Sequence, residues 1–277
     1  MIDRFVFAIA GIAAGAAAVW LAIAPHRAAP TVNPADLPHP KRGLVAGYLP
    51  PDRIVDALAL LPPPPEAGSA RQAADEAARQ AARALRDTPR WTMATRDAEF
   101  RFPGAVAPFA CALGVPIDEK TTPQTYMLLR RSLTDAAEAV SAAKKKYARL
   151  RPFAASDDST TCAVNRDGDT RTDTSYPSGH ATYGWAWGLI LAEVAPDRAE
   201  ALLKRGYDFG QGRIVCNMHW QSDVDAGRLA GAAVVAQLHA DPDFRAQLDA
   251  ARFETRAVRA RESAAPDCAL DRQAAQP

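Results

Sequence analysis

The 277 residues carry 33 lysines and arginines against 32 aspartates and glutamates, a net charge of +1. That balance excludes a bulk attraction to nucleic acid, so any affinity for anions must be local. With 48% hydrophobic but only 7% aromatic residues, plentiful alanine and few alternating Val/Ile/Thr runs, the composition favours an all-α fold. The expected architecture is a single compact helical domain behind an N-terminal leader.

The chain opens on Met1, Ile2, Asp3 and Arg4, followed by an unbroken apolar run over 5–24. This is the pattern of a secretory signal peptide, with Ala22 and Ala24 supplying the small residues before a cut. Pro25 is a poor neighbour for that cut, and the run is long enough to span a bilayer, so an uncleaved anchor is the alternative. Either way the body is exported. Residues 25–45 are rich in proline and alanine and read as a linker, 46–250 as the functional domain, and 251–277 as a polar tail. Within 47–69 a short apolar helix is stopped by Pro62 to Pro65, expected to form a polyproline II strap across the core. Helices are expected at 70–85, 91–101, 124–149, 178–194, 198–210 and 213–239. The stretch 157–175 is a polar loop. Its Asp167-Gly168-Asp169 lacks the glycine and glutamate placement of a calcium loop and reads as a solvated turn. Four cysteines in an exported chain are expected to form disulfides. Of three pairings we favour Cys162 with Cys216, since each lies near a candidate site segment, which leaves Cys111 with Cys268. No C-x-x-C spacing supports a metal site.

Three segments carry chemistry. In "KKKYARLRP" (144–152), Lys144 and Arg151 are i and i+7, one face of a helix that Pro152 should break. Lys145, Lys146 and Arg149 are expected to face water. In "SYPSGHATYGW" (175–185), Pro177 and Gly179 form a turn at the mouth of an apolar helix, whose free N–H groups suit phosphate. Ser178 there is either an N-cap or a ligand. In "GRIVCNMHWQSDVDAGR" (212–228), His219 and Asp223 are i and i+4, so on a helix the carboxylate can fix the imidazole tautomer. Arg213 is expected one or two turns earlier.

Together these groups suit phosphoryl transfer. One lysine and two forked arginines, with the Ser178 hydroxyl and the Gly179 N–H, can hold the equatorial oxygens of a phosphoryl group. His219, oriented by Asp223, is the expected nucleophile, and His180 the acid that releases the alcohol. The two protonation states should coexist near the ordinary histidine value of about 6.5. The cationic side chains perform the neutralisation a divalent metal would otherwise supply.

Lys-x6-Arg-Pro, Pro-Ser-Gly-His and Arg-x5-His-x3-Asp, in that order, resemble the signature of the superfamily of type-2 phosphatidate phosphatases and vanadium haloperoxidases. "YARLRPF", "YPSGHATYGWAWGLILAE" and "VVAQLHADPDF" are similar to the bacterial class A non-specific acid phosphatases, over about residues 45–250. That resemblance implies an all-α fold, a periplasmic location, a phosphohistidine intermediate, small phosphomonoester substrates, and no cofactor or metal. It implies Lys144, Arg151, Ser178, Gly179 and Arg213 as phosphate ligands, His180 as acid, His219 as nucleophile and Asp223 as its partner. No nucleic-acid partner is implied, and no membrane contact beyond an N-terminal anchor. Oligomeric state is left open, a homo-oligomer included, as is phosphotransfer to alcohols. One departure stands out: Gly212 occupies the position where the family usually has serine. The alternatives are a vanadate-dependent haloperoxidase, a phosphate-binding relative impaired through Gly212, and a membrane lipid phosphatase, for which the spanning helices are missing. His26, His39 and His239 match nothing in the signature.

Overall fold

The computed structural model describes residues 37–38, 44–162, 172–261 and 266–274. The expected signal segment, most of the 25–45 linker, Asp167-Gly168-Asp169, His26 and His39 lie outside the described residues. Among the described residues the regular structure is helical throughout. The α-helices are α1 (Ala57–Leu60), α2 (Ala70–Ala82), α3 (Pro89–Arg96), α4 (Ala110–Leu113), α5 (Pro123–Ala139), α6 (Ser141–Tyr147), α7 (Pro152–Ala155), α8 (Gly179–Val194), α9 (Ala199–Val215), α10 (Gln221–Leu238), α11 (Pro242–Ala260) and α12 (Ala269–Ala274). None is long and apolar enough to cross a membrane.

Helix starts follow local chemistry. Ser69 accepts from the Gln72 N–H at 3.2 Å, Thr88 from Trp91 at 3.4 Å, and Asp241 from Asp243 and Phe244 at 3.0 Å each. These side chains satisfy donors that a helix leaves orphaned. Proline occupies the first position of α3, α5 and α11, where its missing N–H costs nothing.

The apolar helix α8 runs through the centre, in contact with α5, α9, α10 and α11. Missing side chains allow its neighbours so near. A Cβ on Gly206 of α9 would lie 3.1 Å from the Gly188 Cα, and one on Gly231 of α10 would lie 2.4 Å from the Thr182 carbonyl oxygen. Trp187 is fully buried among Phe102, Phe109, Tyr183 and Phe209, and its indole N–H donates to the Leu129 carbonyl at 3.1 Å. Truncating such a side chain to alanine costs about 3–5 kcal/mol. This clamp holds the first turn of α8, and with it residues 178–180, in a fixed place.

Both expected disulfides are present, Cys162–Cys216 and Cys111–Cys268. The strap at Pro62 to Pro65 is tied down where the Tyr176 hydroxyl donates to the Pro62 carbonyl at 2.6 Å.

Several boundaries differ from expectation. The stretch 124–149 is two helices, and Ala148, left-handed at φ 42°, ends the second. The chain between 198 and 239 also divides differently. α9 runs to Val215, a turn through the left-handed Asn217 follows, and α10 starts only at Gln221. The supposed polar tail from 251 lies partly inside α11, and α12 packs on α3, with Asp271 accepting from Arg96 at 2.9 and 3.1 Å.

Candidate active site

Lys144 and Arg151 reach one point by a route other than a shared helical face. α6 ends at Tyr147, the Ala148 turn redirects the chain, and Arg151 is the extended N-cap of α7, as a residue before proline should be. Lys144 Nζ donates to the Thr174 carbonyl at 2.7 Å. Arg151 Nη2 donates to the Thr174 hydroxyl at 3.2 Å, and its Nη1 donates to the Met218 carbonyl and to His219 Nε2, both at 2.9 Å.

The turn before α8 supplies the second segment. Ser178 is the N-cap, its hydroxyl accepting from the Ala181 N–H at 3.3 Å, and its own N–H donates to the Asp223 carbonyl at 2.9 Å. A Cβ on Gly179 would meet only the Lys144 Cε, at 3.7 Å, so the backbone there is otherwise open. His180 Nε2 donates to the Ala98 carbonyl at 3.2 Å, and its ring stacks on Phe209, centroids 6.2 Å apart.

The third segment is a helix end, a turn and a helix start. Arg213, in the last turn of α9, accepts at its carbonyl from the N–H groups of Met218 and His219, at 3.0 and 3.3 Å, and so shapes the turn that presents His219. Its guanidinium is buried, and Nε and Nη1 have no partner among the described residues. Buried, unpaired guanidinium donors are costly unless an anion completes them.

A guanidinium only donates, so Nε2 of His219 is the accepting nitrogen and the ring proton sits on Nδ1. Nδ1 lies 3.5 Å from Asp223 Oδ2 and 3.4 Å from the Ser175 hydroxyl. The direct bond expected from helical i, i+4 spacing is therefore not closed, because His219 precedes the helix and Asp223 lies in its first turn. The Ser175 hydroxyl lies beside the pair, donating to Asp223 Oδ2, which also accepts from the Trp220 N–H at 2.9 Å.

Burial and crowded cations shift the titrating groups. Burial, then Arg151, pulls Lys144 down to about 7, against a partial offset from Asp223. Burial and Arg213 lower Arg151 to about 10. His219 is held well below its ordinary value by burial, then by Arg151, Lys144 and Arg213. His180 moves the same way, through burial, then Arg213 and His219. Against the expectation that the two protonation states coexist near the ordinary histidine value, burial and the surrounding cations lower both rings, and the negative charge of a bound anion would oppose that shift.

The structure thus gathers Lys144, Arg151, Ser178, Gly179, Arg213, His219 and Asp223, with His180 in the field of Arg213, His219 and Arg151. It leaves Lys145 and Lys146 exposed, whereas Arg149, expected in water, is half-buried and donates to Asp223 Oδ1 at 2.6 Å. Sequence reading also missed Thr174 and Ser175. His239 lies elsewhere, paired with Glu193 at 2.9 Å. Gly212 faces α3, where a Cβ would meet Ala94 Cβ at 3.5 Å and Arg90 Nη1 at 3.6 Å.

Comparison with known proteins matches residues 125–246 to the PAP2 superfamily. A non-specific acid phosphatase of Providencia stuartii is 43% identical over 208 residues, covering 75% of this chain and 84% of that protein. An acid phosphatase of Zymomonas mobilis is 40% identical over 204 residues (74% and 77%). A non-specific acid phosphatase of Salmonella typhimurium is 39% identical over 205 residues (74% and 82%).

Proposed function

This chain belongs to the PAP2 superfamily and, within it, to the bacterial class A non-specific acid phosphatases; it is an acid phosphatase, and we propose that it acts on a broad range of phosphate monoesters by transferring the phosphoryl group to His219 Nε2. The observation that carries this reading is the single ring flanked on both sides: Arg151 at Nε2, Ser175 and Asp223 at Nδ1.

Lys144, Arg151, Arg213, the Ser178 hydroxyl and the Gly179 N–H hold the phosphoryl oxygens. An entering phosphoryl group takes over the Arg151 fork and frees the Nε2 lone pair. The Nε2–P bond forms as the P–O ester bond breaks, and the leaving oxygen takes a proton from His180. Below the second phosphate pKa of about 6 the ester arrives with one proton of its own. Its negative charge also raises the proton affinity of His180, offsetting the cations that lower it. Water then attacks phosphorus, His180 takes the water proton, and the Nε2–P bond breaks to release phosphate. An alcohol in place of water gives a new ester instead. The positive charge that a divalent ion would bring is already present as Lys144, Arg151 and Arg213, which makes this a metal-independent mechanism.

Two disulfides fit an oxidising compartment, which supports export to the periplasm. The test is hydrolysis of p-nitrophenyl phosphate between pH 4 and 8 with chelator present, comparing the wild type with His219→Ala. Chelator-resistant turnover that the substitution abolishes is expected. Absent turnover, with halide oxidation by vanadate-loaded protein, would give the reading to a haloperoxidase.

A further inference from the structure

Asp223 has two carboxylate oxygens, and only one faces the nucleophile. Oδ2 takes the Ser175 hydroxyl and the Trp220 N–H beside His219. Oδ1 takes Arg149 Nη1 at 2.6 Å, and that same nitrogen donates to the Ser222 hydroxyl at 2.8 Å. The far side of the guanidinium is clamped as well: Nη2 donates to Asp75 Oδ2 at 2.8 Å and to Gln72 Oε1 at 2.6 Å, both on α2. Asp75 is fixed in turn by the Ser222 N–H at 2.7 Å and the Ser222 hydroxyl at 2.6 Å. Trp220 covers the guanidinium at 5.4 Å, and the Arg149 carbonyl accepts from the Ser175 N–H at 3.0 Å. The side chains of Asp75, Arg149 and Asp223 are 3%, 10% and 0% exposed, so water does not replace these bonds.

A carboxylate rotates softly about its last torsion. With Oδ1 unbound, Asp223 could turn its lone pairs away from Ser175 and the Nδ1 proton, and the tautomer that leaves Nε2 nucleophilic would lose its support. A planar fork held at both ends prevents that rotation in a way a point charge does not.

We propose that Arg149, clamped by Asp75 of α2, is the positioning residue of the nucleophile, acting on His219 through Asp223 and Ser175. The proposal rests on the phosphatase reading above. Its bonds run to Asp75, Gln72, Ser222 and Asp223, away from the phosphate ligands, so it governs turnover and leaves substrate binding alone.

The experiment measures kcat and KM for p-nitrophenyl phosphate, and inhibition by inorganic phosphate, in wild type, Arg149→Met, Arg149→Lys, Asp75→Asn, Asp223→Asn and the Arg149→Met/Asp223→Asn double variant. Arg149→Met is expected to lower kcat by about 10–100-fold, the range seen when a supporting partner of a functional side chain is removed. KM and phosphate inhibition should stay within about twofold, the pattern of an interaction that matters only in the transition state. Arg149→Lys should recover part of the loss. In the Asp223→Asn background the Arg149→Met change should have no further effect on kcat, because both act through one carboxylate. If Arg149→Met does not fold, Arg149→Lys and Asp75→Asn carry the test, each with a several-fold lower kcat at unchanged KM. Unchanged kcat in the folded variants, a loss confined to KM, or losses that multiply in the double variant would each overturn the proposal. A wild type without turnover overturns the phosphatase reading and this proposal together, whereas a wild type that turns over beside unimpaired Arg149 variants overturns this proposal alone.

Discussion

Gly212 sits inside α9 at the position where the resemblance read from the sequence leads one to expect serine, and the structure says what placing a side chain there does. A Cβ at this position meets Ala94 Cβ at 3.5 Å and Arg90 Nη1 at 3.6 Å, ordinary contact distances, on the face turned to α3. The backbone is already helical, so replacing glycine by alanine gains about 0.8–1 kcal/mol of helix propensity. Serine gains less from propensity, about 0.5 kcal/mol, but its hydroxyl comes within reach of Arg90 Nη1, which is buried without a partner among the described residues. A hydrogen bond to a charged donor contributes about 1.5 kcal/mol at the low end. Gly212→Ala should therefore stabilise the protein by about 1 kcal/mol and Gly212→Ser by about 2 kcal/mol. At about 2–4 °C per kcal/mol for a domain of this size, the melting temperature should rise by about 3 °C and about 6 °C. Because a side chain at 212 would meet Ala94 and Arg90 of α3, kcat and KM for p-nitrophenyl phosphate should stay within about twofold. Calorimetry and steady-state kinetics on the two variants check both statements. A fall in melting temperature, or a KM lowered several-fold by serine but not by alanine, would refute the reasoning and show that the hydroxyl helps to place Arg213.

The pH profile follows from three shifts. His219 must be neutral to attack and is held well below its ordinary value, so kcat/KM should rise with pH through that lowered pKa. In the proposed mechanism the Lys144 ammonium binds phosphate, and it is lost as pH passes about 7, so kcat/KM should fall above it. The profile is then a bell lying in the acid range, its alkaline limb set by the proton that His180 must deliver together with the Lys144 ammonium; a wild-type plateau extending past pH 9 would contradict this. Gly231→Ala places a Cβ 2.4 Å from the Thr182 carbonyl oxygen and should destabilise by about 2–3 kcal/mol, read as a lower melting temperature. An unchanged melting temperature would mean that α10 slides on α8 without penalty. The Cys111–Cys268 bond spans 157 residues of chain, and its loss through paired serine substitutions should cost up to about 5 kcal/mol by loop entropy. Activity of the surviving folded fraction should be retained, since α12 packs chiefly on α3 and its Asp271 faces Arg96 and Arg205.

What the sequence discloses about the site is residue type and order; what it hides is the path of the backbone between them. Ser178 could be read as a cap because capping is local chemistry, and both disulfides could be read because few cysteines leave few pairings. The break at Ala148 carries no glycine or proline to announce it, and the turn through Asn217 is closed by a serine-rich loop: Asn217 Nδ2 donates to the Asp158 and Thr160 carbonyls at 2.8 and 3.1 Å. Such breaks are set by tertiary partners, which local propensity does not see. Arg149 shows the same limit most sharply. In a run of lysines and arginines the default is a solvated helix face, and the partner that buries it, Asp75, lies 74 residues away. Yet one signal was present in the four letters "RLRP". Proline forces the residue before it into extended backbone, and extended backbone alternates its side chains. Read with period two, Arg149 and Arg151 point to one side and Leu150 to the other. The structure has that arrangement: Leu150 is 50% exposed while the arginines on either side turn inward, one to Asp223 and the other to His219. A leucine in water between two inward-facing arginines is the inverse of a folding pattern, and it arises here because Arg149 pairs with Asp75 and Asp223 while Arg151 donates to the Met218 carbonyl and His219.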